Sequence, residues 1–124
     1  MKLTFSKEEM ENYRDTHADS LATVGYTQKV KLLRTQLPTY FLLIIDNQQI
    51  TMIEQDWKLK EKGISVIHLS DINTLTVDRI FFQHRVKIKT TDKVYKLDVP
   101  PLNFGFKEYQ NNLINRLKEI SNNL

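Results

Sequence analysis

Residues 40 to 55 read YFLLIIDNQQITMIEQ, and no other stretch limits the fold as tightly. A helix that crosses a membrane needs about 20 apolar residues in a row. Tyr40 to Ile45 supplies six before Asp46, Asn47, Gln48 and Gln49 break the run. Tyr40, Phe41, Ile44 and Ile45 are aromatic or β-branched, which favours a buried strand over a helical turn. Asp46-Asn47 is good turn chemistry, because both side chains can bond nearby backbone. Ile50 to Glu54 then partly alternates. The stretch therefore predicts a β-hairpin with its polar residues at the turn.

More strands follow from the same reasoning. Lys29 to Leu37 reads as a strand, with helix as the alternative, and Pro38 ends it either way. Asp56 to Gly63 is polar apart from Trp57 and Leu59 and reads as a loop or a strand end. Ile64 to Leu69 and Ile72 to Asp78 are strands separated by Ser70-Asp71. The clearest alternation sets Phe82, His84, Val86 and Ile88 on one face and Gln83, Arg85, Lys87 and Lys89 on the other. That period of two predicts a half-buried antiparallel strand. Val94 to Val99 returns after Thr91-Asp92-Lys93, and Pro100-Pro101 stops the pairing.

Helices close both ends. Ser6-Lys7-Glu8-Glu9 matches a capping box, with Phe5 and Met10 placed for a hydrophobic staple. Met10, Tyr13, His17 and Leu21 predict a helix over about 7 to 23, with Gly25 as its stop. The apolar stripe is thin, so this helix is expected to lie in a surface groove. The terminal segment is broader. Phe106, Tyr109, Leu113, Ile114, Leu117, Ile120 and Leu124 form a stripe whose opposite face holds Lys107, Asn111, Asn112, Asn115 and Lys118. Strands in a run with helices at the ends predict an α+β domain. A curled antiparallel sheet or partly open barrel of about seven strands, plugged by the last helix, removes most exposed edges.

This order resembles the bacterial pleckstrin-homology-like (PH-like) domain family over residues 28 to 121. The likeness rests on the hairpin YFLLIIDNQQITMIE, the step Ile67-His68-Leu69-Ser70-Asp71-Ile72, the pair FFQHRVKIKTTDKVYKLDV and the amphipathic terminal helix. It implies a division into an N-terminal helical extension, 1–27, and a PH-like domain, 28–124. It also implies that the terminal helix covers one open end of the barrel, and that the first strand pair flanks the ligand edge. Basic residues there contact phosphates in lipid-binding members, and Lys29, Lys31 and Arg34 occupy the comparable region. Tyr40 to Ile45 carries no basic residue, so that pattern is incomplete. The family's turn usually has Gly where Lys93 stands, which implies a longer or bulged hairpin here.

Charge is uneven although the total is only +3. Residues 29 to 39 hold three basic groups and no acid, and residues 79 to 98 hold six basic groups against two acids, a net of +4. Lys29, Lys31, Arg34, Arg85, Lys87 and Lys89 are thus the candidate ligand-binding residues. Arg85, Lys87 and Lys89 recur about 7 Å apart along one strand face, which suits a phosphate or an acidic partner. The plainer alternative is a solvated face that keeps the strand soluble.

Catalytic and metal-binding patterns are not found. There is no cysteine, which removes thiol chemistry and disulfides. His17, His68 and His84 lack metal-ligand spacing. His68-Leu69-Ser70-Asp71 holds triad residue types, but adjacent on one strand they have the wrong geometry. Gly25, Gly63 and Gly105 are isolated, so no phosphate-cradling loop is present. Nucleic acid is not an expected partner, given the mild basic excess. Trp57, beside Lys58, Lys60 and Lys62, either anchors a surface or packs over the sheet end.

The expectation is a non-enzymatic, cytoplasmic binding or scaffolding module without a cofactor. Its expected partner is another protein or a second copy of itself, with the N-terminal helix docked along the sheet or exchanged between protomers. The alternative is peripheral binding to anionic membrane headgroups through a basic strand face.

Overall fold

The computed structural model describes residues 6–31, 33, 35–102 and 104–124. Phe5 of the expected staple, Leu32 and Arg34 lie outside them. The chain runs α1 (Lys7–His17), β1 (Thr23–Lys29), β2 (Tyr40–Ile45), β3 (Gln49–Gln55), β4 (Glu61–His68), a single 3-10 turn (Leu69–Asp71), β5 (Ile72–Ile80), β6 (Gln83–Thr90), β7 (Val94–Val99) and α2 (Lys107–Asn122). The seven strands form one antiparallel sheet in the order β4-β3-β2-β1-β7-β6-β5. It curls, so that residues of both halves meet in one core.

That inner core joins Leu43 and Ile45 of β2, Ile50 and Met52 of β3, Ile67 of β4, Leu75 of β5, Val86 and Ile88 of β6, and Leu97 and Val99 of β7. Leu113, Ile114, Leu117 and Ile120 of α2 plug it. A second core lies on the outer face of β1 to β3, where Val24, Tyr26, Leu42, Ile44 and Ile53 pack under Met10 of α1 and Phe106. β2 is thus buried on both faces, which is why its sequence is a continuous apolar run rather than an alternation. Asp46 holds the hairpin turn, its Oδ1 accepting from the amides of Gln48 and Gln49 at 2.8 and 2.9 Å.

β1 touches β7 only through Gln28 and Lys29, so its first half leaves the ladder. Gln110 of α2 takes the place of the missing strand. Its amide nitrogen donates to the carbonyls of Tyr26 and Pro100, and its Oε1 accepts from the Tyr26 amide at 2.9 Å. Gly25 makes this approach feasible. A Cβ there would stand 2.8 Å from Leu113 Cδ2 and 2.9 Å from Gln110 Oε1.

Several expectations need correction. The first helix ends at His17, not near 23, because Asp19 starts a turn by accepting from the Leu21 amide at 2.8 Å. Leu21 is exposed, and Gly25 is a strand residue rather than a helix stop. The expected boundary between residues 27 and 28 falls inside β1. α1 fills a core as well as lying on a surface, since Met10 is fully buried. Its cap is as expected, with Ser6 Oγ accepting from the Glu9 amide at 3.3 Å.

The strand foreseen at 29–37 is displaced to Thr23–Lys29. Beyond Lys29 a loop closes by the Lys29 amide bonding the Thr39 carbonyl at 2.8 Å, while Leu33 and Leu37 stay exposed. Phe82 does not share the buried face of Val86 and Ile88, because it sits at the β5–β6 turn, and Leu124 lies exposed past the end of α2. The β6–β7 hairpin is neither long nor bulged. Its register runs unbroken to Lys89 opposite Val94, and Thr90 Oγ1 accepts from the Lys93 amide at 3.1 Å, so the turn closes without glycine. Trp57 is exposed, with Lys58 Nζ 5.0 Å from its ring centroid. No helix among the described residues is long and apolar enough to cross a membrane.

Candidate functional site

Of the basic residues singled out above, those placed in strands divide between two faces of the sheet. Arg85, Lys87 and Lys89 alternate along the outer face of β6. Arg85 is committed to Asp98, with Nε to Oδ1 at 2.9 Å and Nη2 to Oδ2 at 3.3 Å, and this bonding raises its pKa. Lys87 stands opposite Thr76 on β5 and Lys96 on β7. Like charges directly opposite each other cost stability. Lys89 lies opposite Thr74 and Val94. Lys29, by contrast, pairs with Leu97, whose side chain is in the inner core, so the register starts it on the opposite face. Lys29 and Lys31 line a cleft of about 110 Å³ with Gln36 and Thr39. Arg34 lies outside the described residues. The two basic segments are neighbours, since the Val30 amide donates to the Lys96 carbonyl at 3.2 Å, yet the register sets Lys29 on the face opposite Lys87 and Lys96.

A more complete site lies at the β4 edge of the sheet. β4 pairs with β3 alone among the described strands. The Leu69 amide donates to the Gln48 carbonyl at 2.9 Å, which sets the phase of the ladder. Alternation then turns Ser65 and Ile67 toward β3 and leaves the N–H and C=O of Ile64 and Val66 and the N–H of His68 facing outward, while the His68 carbonyl caps the 3-10 turn. Glu61 to Val66 are all exposed. Ile64 and Val66 are opposite Ile53 and Thr51, so they continue the rows of the outer core, yet they remain 47% and 44% exposed. α1 covers those rows over β1 to β3 and reaches β4 only at that strand's first residue, where the Tyr13 phenol bonds the Glu61 side chain.

A cleft flanks this edge on each side. Between α1 and β4 a groove of about 470 Å³ is lined by Glu9, Tyr13, His17, Glu61 and Ile64, among others. The rings of Tyr13 and His17 stack with centroids 6.4 Å apart. Burial pushes the Tyr13 phenol pKa up, and the adjacent Glu61 carboxylate raises it further, so the phenol stays a donor across neutral pH. Gln55, opposite Glu61, is buried, and its Oε1 has no partner among the described residues. The second cleft, about 360 Å³, separates Val66 and Ile67 from Asp71, Tyr95 and the turn Thr90–Lys93. Its lining is mostly polar. Chemically this arrangement offers backbone hydrogen bonds along a line, an aromatic and acidic groove above and a polar cleft below. Among the described residues no cluster of three His, Asp or Glu could hold a metal ion.

The sequence pattern marked Ile64 to Leu69 as a strand but carried no sign that it would stand at an edge. Apolar residues at 64 and 66 read as core. Strand order alone reveals them as exposed. Lys96 was missed for a similar reason: only the register with β6 sets it against Lys87.

No family model and no curated protein matches the chain. Among solved structures the chain is similar to the N-terminal PH domain of ARAP2 from human, with a TM-score of 0.49 and 15% identity over 82% of this chain and 80% of that one. It is also similar to the PH domain of USP37, with a TM-score of 0.46 and 12% identity over 84% of this chain and 99% of that one.

Proposed function

We propose that the chain is a non-enzymatic binding module that takes an extended segment of a protein partner as an additional strand beside β4. The observation that carries this reading is the free β4 edge with a cleft on either side. Outward N–H and C=O groups at Ile64 and Val66, with the N–H of His68, ask for a backbone in the extended state, which neither a lipid nor a helix supplies. A strand laid there projects alternate side chains to opposite faces. One set enters the groove of Tyr13, His17 and Ile64, where apolar or aromatic groups fit and Glu9 and Glu61 favour a neighbouring cation. The other set enters the polar cleft by Thr90–Lys93. The segment comes either from another protein or from a second copy of this chain, and light scattering on the purified chain tells the two apart.

The test is selection of a random peptide library on the immobilised chain, followed by titration of the selected peptides against wild type and Val66→Pro. The Val66 N–H faces away from β3, so proline removes an outward donor and leaves the β3–β4 ladder intact. Selected peptides are expected to alternate apolar with polar residues and to lose roughly tenfold or more in affinity for the variant, since several ladder bonds depend on that approach. Peptides that bind both proteins equally, or a library that yields none, would overturn the reading.

A further inference from the structure

A β-bulge decides which charge stands in the groove between α1 and β4. The register shifts between Glu54 and Gln55, so Gln55 faces Glu61. In an unbroken ladder Gln55 would face Lys62, because Ile53 faces Ile64 and Glu54 faces Gly63. The extra residue turns the Glu61 carboxylate toward α1 and leaves Lys62 to pair with Asp56 at 3.7 Å. Glu9 of α1 lines the groove as well, and no lysine or arginine is among the described residues that line it.

The groove holds more than carboxylates. Tyr13 and His17 lie one turn apart on α1, and their rings are nearly parallel, with 14° between planes and 6.4 Å between centroids. Glu61 and Gln55 both bond the Tyr13 phenol. Gln55 therefore forms the groove floor, tied to one lining residue by a hydrogen bond and to another by register. It is 2% exposed, and its Oε1 has no partner among the described residues. A buried acceptor left without a donor destabilises the fold around it. Carboxylates, ring faces and an orphaned acceptor in one groove have a common complement, a cation rich in N–H donors.

We propose that this groove is an arginine site, which takes the guanidinium of an arginine carried by the segment that adds beside β4. The inference rests on strand addition and names the side chain that selects the partner. Arginine fits better than lysine. Its planar guanidinium lies on a ring face, forks to a carboxylate with two N–H groups and keeps further donors for the amide oxygen. Its aliphatic stem covers the half-exposed Ile64. An acidic side chain at the same place meets Glu9 and Glu61 and is refused. Side chains of an added strand enter the groove from every second residue, so the arginine is expected at one fixed place in the alternating pattern.

The experiment is a thermodynamic cycle on the peptides selected from the random library, titrated against the full chain. One arm replaces the peptide arginine by citrulline, which keeps the shape and removes the charge. The other arm is Glu61→Gln. Its amide oxygen still accepts from the Tyr13 phenol and the position is exposed, so the fold is expected to survive, as a melting curve verifies. Selected peptides are expected to share the arginine. Citrulline should weaken binding to wild type roughly tenfold or more and weaken binding to Glu61→Gln far less. If the variant does not fold, the citrulline loss on wild type decides alone. Peptides with no shared arginine, or a citrulline loss equal on both proteins, sink the arginine site. Where such peptides still lose affinity for Val66→Pro, strand addition stands without it. Peptides indifferent to Val66→Pro, or a library that yields none, remove strand addition and the arginine site together.

Discussion

At one margin of the sheet, β5 lies under α2. Leu117 is fully buried in the same core as Leu75, and Ser121 Oγ donates to the Leu75 carbonyl at 2.5 Å. At the other margin β4 has no such roof, and Ile64 and Val66 face solvent. Both strands carry β-branched residues at similar spacing, so composition does not separate them. The separation comes from helix length and seat. The 16 residues of α2 reach from β1 to β5, whereas the 11 of α1 cover the outer face as far as Ile53 and touch β4 only through the Tyr13–Glu61 bond. A sheet edge with unpaired polar groups is a template for another strand unless something blunts it. α2 blunts one edge. The β4 edge has Lys62 near one end, tied to Asp56 at 3.7 Å, and little else.

The harshest way to break this contrast is to loosen the roof. Leu117→Ala removes a fully buried side chain and should cost about 2–5 kcal/mol in urea unfolding. It should also make the amides of β5 exchange more nearly like those of β4. If stability falls and β5 protection does not, then α2 holds the core together without guarding that edge.

How far the contrast was legible in the sequence depends on range. Local signals were legible. The six apolar residues of β2, the Asp46 turn, the alternation of Val86 and Ile88, and the stripe of α2 all depend on neighbours within a few positions. The Ser6 cap belongs with them. β1 was not legible, because TVGYTQK is buried by contacts with α2 and β2 that lie far off in sequence. Gly25 misled for a physical reason: glycine serves both a helix stop and a close approach of backbone to a helix, and only the Leu113 contact decides which. The candidate site suffered most. An edge is a property of strand order, and Ile64 and Val66 look like core residues until that order is known. The same holds for Phe82, which continues the β6 alternation on paper and sits at a turn in space.

A gentler test asks how well α1 seals what it does cover. Tyr26 lies under α1 and Phe106, its ring edge-on to Phe106 at 6.2 Å between centroids. Burial first, and then the Tyr13 phenol, push its pKa up to about 12 from 10.0. A raised folded pKa means the contribution is whole below pH 10 and is lost as pH climbs toward 12. Stability on the order of 2 kcal/mol should therefore disappear across that window, and Tyr26→Phe should remove most of the alkaline loss. Equal alkaline loss in the variant would mean that water already reaches the phenol, and that α1 seals its face no better than it seals β4.

The smallest effect bears most directly on β4. Val66→Pro should lower stability by less than about 1 kcal/mol, because the lost N–H points to solvent and the side chain is already half exposed. Proline fixes φ near the extended values a strand edge tolerates, and it narrows the unfolded ensemble slightly, which offsets part of the loss. Thermal melts of wild type and variant at one concentration read the difference. A drop of several kcal/mol would show that the Val66 amide already has a partner. The phase of the ladder set by Leu69 would then be wrong, and β4 would be a paired strand with no room beside it. A near-zero change, together with lost peptide binding, would separate the two margins by function as well as by structure: one edge closed to complete the fold, the other left open to be completed by something else.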